Sequence, residues 1–182
     1  MSSNDRIAEH HTHINPFTAA DVLLILRENH WLTADPTAEQ TAWAERAAQL
    51  LGHYAEAPEG LANLLHLVFE YDAVQILQST DAHTAISRFA ARDVIRHLAL
   101  LLLDPVPFTS ERFQEIVAEL RDRLEVRSRD LFHPIRLSLA GRIGEGELDR
   151  IILLLDEAAA LPFDVPVKSV RTRVLEFCSA LD

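Results

Sequence analysis

The sequence has few of the residues that stabilise small proteins through covalent or metal cross-links. Cys178 is the only cysteine among 182 residues, so no intrachain disulfide can form. Five glycines and eight prolines are also few, which favours long regular elements over a loop-rich scaffold. A chain of this length buries about 70% of its unfolded surface and can fold without cross-links.

Long apolar runs and metal-ligand clusters are missing as well. No apolar run reaches the roughly 20 residues of a membrane span. Residues 1–13 contain acids and histidines instead of the basic start and apolar stretch of a secretory signal. We therefore predict a cytoplasmic protein with no membrane partner. His10, His11 and His13 have no companion ligand cluster, so we predict no metal site and no cofactor.

Helical spacing dominates what the sequence does contain. No segment alternates polar and apolar residues, and no hairpin dipeptide is present, so we predict an all-α protein. Thr18 is a candidate N-cap for a helix over 19–29, and Thr37 with Gln40 has capping-box spacing. A long helix is predicted over 82–103 with Phe89 among its inward residues.

Positive charge is scarce in the whole chain, although one region concentrates it. The formal net charge is −11, and Lys168 is the only lysine. Nucleic-acid-binding proteins usually present a basic field, so RNA contact here requires a local patch. Residues 121–142 hold six arginines against three acids, and Arg142 lies at the end of this patch. Arg88, Arg92 and Arg96 recur every fourth residue, which predicts one arginine-bearing helix face.

The segment over 131–155 reads, in one-letter code, LFHPIRLSLAGRIGEGELDRIILLL. It resembles the C-terminal signature of bacterial glutamyl-tRNA synthetases, in which a proline, an arginine and a glycine precede a loop and a leucine-rich helix. The spacing from Pro134 and Arg136 through Gly141 to Leu148 and Leu155 matches that signature without a gap.

This resemblance implies a two-part helical cage that binds the anticodon loop of tRNA, with tRNA-Glu as the candidate partner. It divides residues 17–162 into subdomains over 17–72 and 73–162, while the sequence itself predicts a flexible arm over 1–16 and an extra helix over 163–182 that has no counterpart in the family. It also implies three contacts with anticodon bases, made by Arg136, Glu145 and Leu148. The arginine would make forked hydrogen bonds or stack at the start of a short helix. The glutamate would accept from a cytosine amino group.

The sequence departs from the family pattern at several positions. Asp156 replaces the glycine after the leucine run, and Ala140 replaces a threonine before Gly141. No arginine lies near Gly52–Tyr54, where the bacterial family often has one that faces the anticodon. These departures affect the predicted base specificity more than the predicted fold.

The nucleotide-binding motifs of a class I synthetase active site are missing, so we predict a protein that is not an enzyme on its own. A tRNA-binding homologue acting beside a catalytic synthetase subunit is the first interpretation. A second is a protein-interaction module that kept the fold, lost RNA binding and docks on a partner or forms a homodimer through Val170, Val174 and Phe177. A third is one half of a split synthetase.

Overall fold

The computed structural model describes residues 15–182, and every regular element among them is helical, which confirms the all-α prediction. The helices are α1 (Ala19–Glu28), α2 (Ala38–Leu51), α3 (Pro58–Phe69), α4 (Ala73–Leu77), α5 (Thr80–Ile86), α6 (Ala91–Leu101), α7 (Ser110–Leu124), α8 (Arg129–Ala140), α9 (Gly146–Ala159) and α10 (Val170–Leu181). A 3-10 turn over Gly52–Tyr54 follows α2. The arm predicted over 1–16, with its three histidines, lies outside the described residues apart from Asn15 and Pro16.

No helix in the range 15–182 has both the length and the apolar character that crossing a bilayer demands.

The helix starts follow the capping residues of the sequence. Thr18 precedes α1, and its backbone N–H donates to the Asp21 carboxylate at 2.8 Å. At α2 the Thr37 hydroxyl accepts from the Gln40 backbone N–H at 3.1 Å, while the Gln40 side chain accepts from the Thr37 N–H at 2.9 Å. Each pair satisfies N–H groups that the helix itself leaves without partners. Both predicted caps are confirmed.

Helix α9 lies at the centre of the molecule and packs against α2, α3 and α8. Its run from Ile151 to Leu155 is buried, and the indole N–H of Trp43 on α2 donates to the Leu154 carbonyl at 3.1 Å. The ring of Trp31 stacks on Phe69 at 4.5 Å between centroids in the same region. The buried apolar residues therefore form one core that continues across residue 72. The division into subdomains at that residue stays a prediction.

The predicted long helix over 82–103 is wrong. The structure has two helices there, α5 and α6, separated at Ser87–Ala90. Ala90 adopts a left-handed conformation with φ of 61°, which interrupts the helix, and Phe89 is 82% exposed instead of buried. Alanine is a good helix former, and Phe89 has helical spacing to its neighbours. Neither residue therefore indicates that the helix is interrupted here.

Helix α8 begins earlier than the sequence suggested. It starts at Arg129, so Pro134 lies inside the helix and Arg136 lies in its second half. The expectation of a short helix with Arg136 near its start is therefore wrong. Arg136 and the residues around it are buried, because α8 packs against α5, α6, α9 and α10.

The extra C-terminal helix α10 packs into its own chain, against α4, α6 and α8. Val170, Val174 and Phe177, which the dimer interpretation requires at a partner surface, are all buried there. Asp156 accepts from the first backbone N–H of α10, at Val170, over 2.9 Å. The aspartate that departs from the family pattern thus caps this helix.

Arg173 of α10 is fully buried and donates hydrogen bonds to four backbone carbonyls. The acceptors at Leu67 and Val68 lie in the last turn of α3, and the one at Leu139 lies in the last turn of α8. Helix C-termini carry partial negative charge and unpaired carbonyls, which a guanidinium satisfies. Burial lowers the pKa of Arg173 to about 10, so it keeps its charge at neutral pH.

Candidate nucleic-acid interface

Arg136 is held inside the protein by the residues that follow it. Its Nε and Nη2 atoms donate to the two carboxylate oxygens of Asp149, each at 2.9 Å, and its Nη1 donates to the Gly144 carbonyl at 2.7 Å. Only 9% of the residue is exposed. Arg136 therefore joins α8 to the α8–α9 loop and to the first turns of α9.

The Phe132 ring covers one face of the Arg136 guanidinium, and protein groups accept hydrogen bonds from all three of its nitrogen atoms. Its terminal carbon lies 4.8 Å from the centroid of the Phe132 ring, and the planar fork is filled by Asp149. Burial alone would lower the pKa of Arg136, but the hydrogen bonds and charge of Asp149 outweigh it and raise the pKa. The prediction that Arg136 contacts an anticodon base directly does not agree with this geometry. Its place favours a role in positioning the loop.

Two of the three remaining residues predicted to contact RNA in and after the α8–α9 loop are exposed, and the third is buried. Arg142 and Glu145 are exposed, as their predicted roles require, whereas Leu148 is only 2% exposed and belongs to the core. Leu148 is therefore not available for the base contact predicted for it. Gly141 ends α8 with φ of 81°, a conformation that suits glycine, so the turn into the loop depends on this residue.

A cavity of about 470 Å³ lies beside this loop, between the 3-10 turn, α7, α8 and α9. The residues of this cavity that carry polar or aromatic groups are Tyr54, Ser110, Phe113, Gln114, Arg121, Phe132, Asp149 and Arg150. Tyr54, Arg121 and Arg150 are exposed to solvent at its walls. The cavity therefore combines an accessible aromatic ring with two accessible guanidinium groups. Surfaces that bind single-stranded nucleic acid have this combination of aromatic and positively charged residues.

Comparison with known proteins agrees with this arrangement. The family described as anticodon binding domain matches residues 12–160, about four fifths of the chain. The chain belongs to this family. No curated protein matches it. No solved structure does either.

The family match ends before α10, so that helix and its buried Arg173 lie outside the matched part. It includes all of the cavity walls and the whole α8–α9 loop. The resemblance to glutamyl-tRNA synthetases is finer than this match, which identifies the anticodon-binding domain alone.

The arginine face predicted on the long helix is divided by the structure. Arg88 lies in the α5–α6 connection, where it forms an ion pair with Asp130 at 2.7 Å. Arg92 and Arg96 remain one turn apart on α6, and Arg96 lies 3.5 Å from the Asp182 carboxylate. The three residues therefore do not share one helix face, because the left-handed Ala90 interrupts the helix between them.

Two of the exposed cavity residues could have been found in the sequence. Tyr54 belongs to the Gly52–Tyr54 segment, where the bacterial family often has an arginine facing the anticodon, and Arg121 belongs to the basic patch over 121–142. Nothing in the sequence indicated Arg150 as a cavity residue, because its spacing is that of any exposed residue on a helix. Within residues 15–182 no three acids, histidines or cysteines cluster in a way that could hold a metal ion.

Proposed function

We propose that this protein is a non-catalytic tRNA-binding protein that binds the anticodon loop at the face formed by the α8–α9 loop and the neighbouring cavity. The membership in the anticodon binding domain family carries this proposal. From the resemblance to glutamyl-tRNA synthetases we further propose that the protein prefers tRNA-Glu. We also propose that a separate catalytic synthetase subunit is its partner.

The arginines near this face support the proposal in spite of the acidic composition. Within the described part of the chain, no carboxylate lies within ion-pair distance of Arg121, Arg129, Arg142 or Arg150. All four are exposed, and they lie on α7, α8, the α8–α9 loop and α9. Guanidinium groups without acidic partners are free to contact phosphates. The basic patch can therefore act locally within a chain of net charge −11.

Binding of tRNA at low ionic strength, followed by filter retention or gel shift, tests the proposal. We expect the affinity to fall steeply with salt, because phosphate contacts release counterions. We expect Arg142→Gln to weaken binding of every tRNA about equally and to reduce the salt slope by about one. Absence of tRNA binding in the unsubstituted protein at low salt would refute the proposed function.

Arg171→Gln provides a matched control for this experiment. It removes the same charge from another exposed arginine, which lies on α10 outside the family match. We expect it to leave tRNA binding nearly unchanged. Equal losses in the two variants would mean that only the net charge, and not the α8–α9 face, governs binding.

The preference for tRNA-Glu and the non-catalytic role need separate measurements. Competition between tRNA-Glu and other tRNA transcripts tests the specificity, and equal competition by all of them would contradict the preference for tRNA-Glu. Charging assays with glutamate and ATP test the catalytic role. We expect no charging by the protein alone, and charging by the isolated protein would contradict the non-catalytic assignment.

A further inference from the structure

We infer that the protein forms a two-fold symmetric homodimer in which Phe89 of each copy inserts into a pocket of the other copy. This pocket, hereafter the α5–α10 pocket, has a volume of about 390 Å³ and lies where α4, α5, α6 and α10 meet. Its lining residues are Leu77, Ala82, His83, Ile86, Ser87, Arg92, Ala180 and Leu181. None of them lines the cavity beside the α8–α9 loop, so the dimer surface is separate from the proposed RNA-binding face.

Phe89 is the projecting group of this surface. It is 82% exposed, the highest value among the large apolar residues in the range 15–182. The connection that carries it has a defined conformation, because Arg88 pairs with Asp130 of α8 at 2.7 Å and Ala90 adopts a φ of 61°. A left-handed residue other than glycine costs energy, and such residues cluster at functional sites. The backbone therefore holds the ring in solvent at a fixed place.

The α5–α10 pocket adjoins Phe89 on the same surface. Its lining residues Ser87 and Arg92 lie two positions before and three positions after Phe89 in the chain. The large apolar groups of the pocket come from α4, α5 and α10, and each is only partly buried; they are Leu77, Ile86 and Leu181. Val74, which is 59% exposed, lies one turn before Leu77 on α4. An aromatic ring inserted here would remove apolar surface from water on both sides of the contact.

A second copy of the chain matches this surface better than an unrelated partner does. In a two-fold interface the same patch faces itself, so a projecting ring and a pocket on one patch are each matched by the other copy. The charges are complementary as well. Among residues 15–182, exposed Arg92 has no carboxylate within ion-pair distance, and exposed Asp81 and Asp93, which adjoin lining residues, have no cation there. A two-fold contact can pair the arginine of each copy with an acid of the other.

The size of the patch predicts a weak and reversible dimer. An aromatic side chain buries about 150–250 Å². Two rings and the walls of two pockets therefore fall short of the roughly 1,600 Å² that a standard stable interface buries. We expect a dissociation constant of micromolar order, which is accessible to sedimentation measurements.

Sedimentation velocity over a concentration series tests the inference on protein treated with nuclease, so that no RNA joins the copies. We expect a monomer–dimer equilibrium without larger species, because a two-fold interface is closed. Phe89→Ser should raise the dissociation constant by about a hundredfold or more, since each dimer loses two buried rings. Val106→Ser is the matched control, because Val106 is a 53% exposed apolar residue in another connection, between α6 and α7. It should dimerise as the unsubstituted protein does.

A mixture of two variants tests the reciprocal geometry. Ala180→Phe places a ring in the α5–α10 pocket and keeps Phe89, whereas Phe89→Ser keeps the pocket open. We expect each variant alone to be monomeric at concentrations where the unsubstituted protein is a dimer. Mixed together they retain one of the two ring–pocket contacts, so we expect a heterodimer of intermediate affinity. If far-UV circular dichroism shows that Ala180→Phe is unfolded, Ser87→Trp at an exposed lining residue blocks the pocket instead.

Three results would overturn the inference. The first is a monomer at every concentration up to about 1 mM. The second is a dimer that Phe89→Ser leaves intact or that Val106→Ser weakens equally. The third is a mixture of the two variants that associates no more than either variant alone. None of these results affects the proposed function, which the binding of tRNA tests separately.

Discussion

Arg136 and Asp149 form the contact on which the shape of the α8–α9 loop depends. Their bidentate hydrogen bonds join two helices, and the third hydrogen bond of Arg136 fixes the Gly144 carbonyl within the loop. Charge-assisted forked pairs of this kind are stronger than neutral hydrogen bonds and impose a defined geometry. We therefore assign to Arg136 a positioning role for the residues that we propose contact RNA.

Substitution of either partner tests this contact. We expect Arg136→Ala and Asp149→Ala each to lower the free energy of unfolding by about 2–3 kcal/mol, because each leaves a poorly solvated charge without its partner. In the double variant the losses should not add, giving a coupling energy of at least about 1 kcal/mol. Urea denaturation measures these values. Additive losses would show that the pair is not coupled.

His133 gives the protein a pH-dependent stability. Burial lowers its pKa from the ordinary 6.5, and the charges of Arg88, Arg129 and Arg136 lower it further. Glu145 opposes this effect, and the buried Nδ1 atom has no hydrogen-bond partner. The folded protein therefore binds fewer protons at this site than the unfolded chain does.

The sign of the effect follows from that proton difference. Stability is fully present above pH 6.5 and falls as the pH decreases below it, since protonation then favours the unfolded chain. We expect His133→Leu to make unfolding free energies measured between pH 7 and about 5.5 less dependent on pH. His53→Leu, at an exposed histidine, should retain the full dependence. Identical pH profiles for the three proteins would contradict this assignment.

The sequence predicted residue positions well where local chemistry decides them. The caps at Thr18 and Thr37 depend on hydrogen bonds within one helical turn, so their spacing alone predicted them. The environment of Arg136 depends on Asp149, thirteen positions further along the chain and on another helix. No local pattern distinguishes an arginine that faces RNA from one that faces such a partner.

At the scale of elements, α10 completes the fold from outside the family match. Its Arg173 binds carbonyls at the ends of α3 and α8 and lies 4.7 Å from the Tyr71 ring centroid. The Tyr71 hydroxyl donates toward the carbonyls of Ser138, on α8, and Arg173. Burial raises the pKa of Tyr71, so it remains a neutral donor. Helices distant in sequence therefore meet at this network.

Substitution of Arg173 tests how strongly α10 supports the fold. We expect Arg173→Met to lower the free energy of unfolding by about 3 kcal/mol or more, because four backbone carbonyls lose a donor, two of them in buried hydrogen bonds. Arg171→Met, at an exposed position of the same helix, should change stability little. Chemical denaturation compares the two variants. A similar small change in both would contradict a structural role for Arg173.

The division between α5 and α6 is a feature of the helices that the sequence did not predict. The apolar spacing over 82–103 fits one helix, yet Ala90 in a left-handed conformation divides it and turns Phe89 to solvent. A left-handed alanine costs energy that only the surrounding packing can offset, so the break is a tertiary effect. The sequence predicted that this region is helical, but it did not predict the interruption at Ala90.

At the scale of the whole molecule, the continuous core predicts cooperative unfolding. Trp31 and Trp43 both precede residue 72, and Trp43 is bonded to α9 beyond it. Tryptophan fluorescence therefore reports on the first part, while far-UV circular dichroism reports on all helices. We expect the two urea transitions to coincide, as in a two-state domain. Separate midpoints would indicate that the parts before and after residue 72 unfold independently.

Footprinting of a bound tRNA tests the central claim most directly, because it shows which part of the RNA the protein covers. Ribonuclease cleavage of end-labelled tRNA is compared with and without the protein at low salt. We predict suppressed cleavage in the anticodon loop and unchanged cleavage in the acceptor stem. Protection confined to the acceptor stem, or no protection at protein concentrations that saturate binding, would contradict the account.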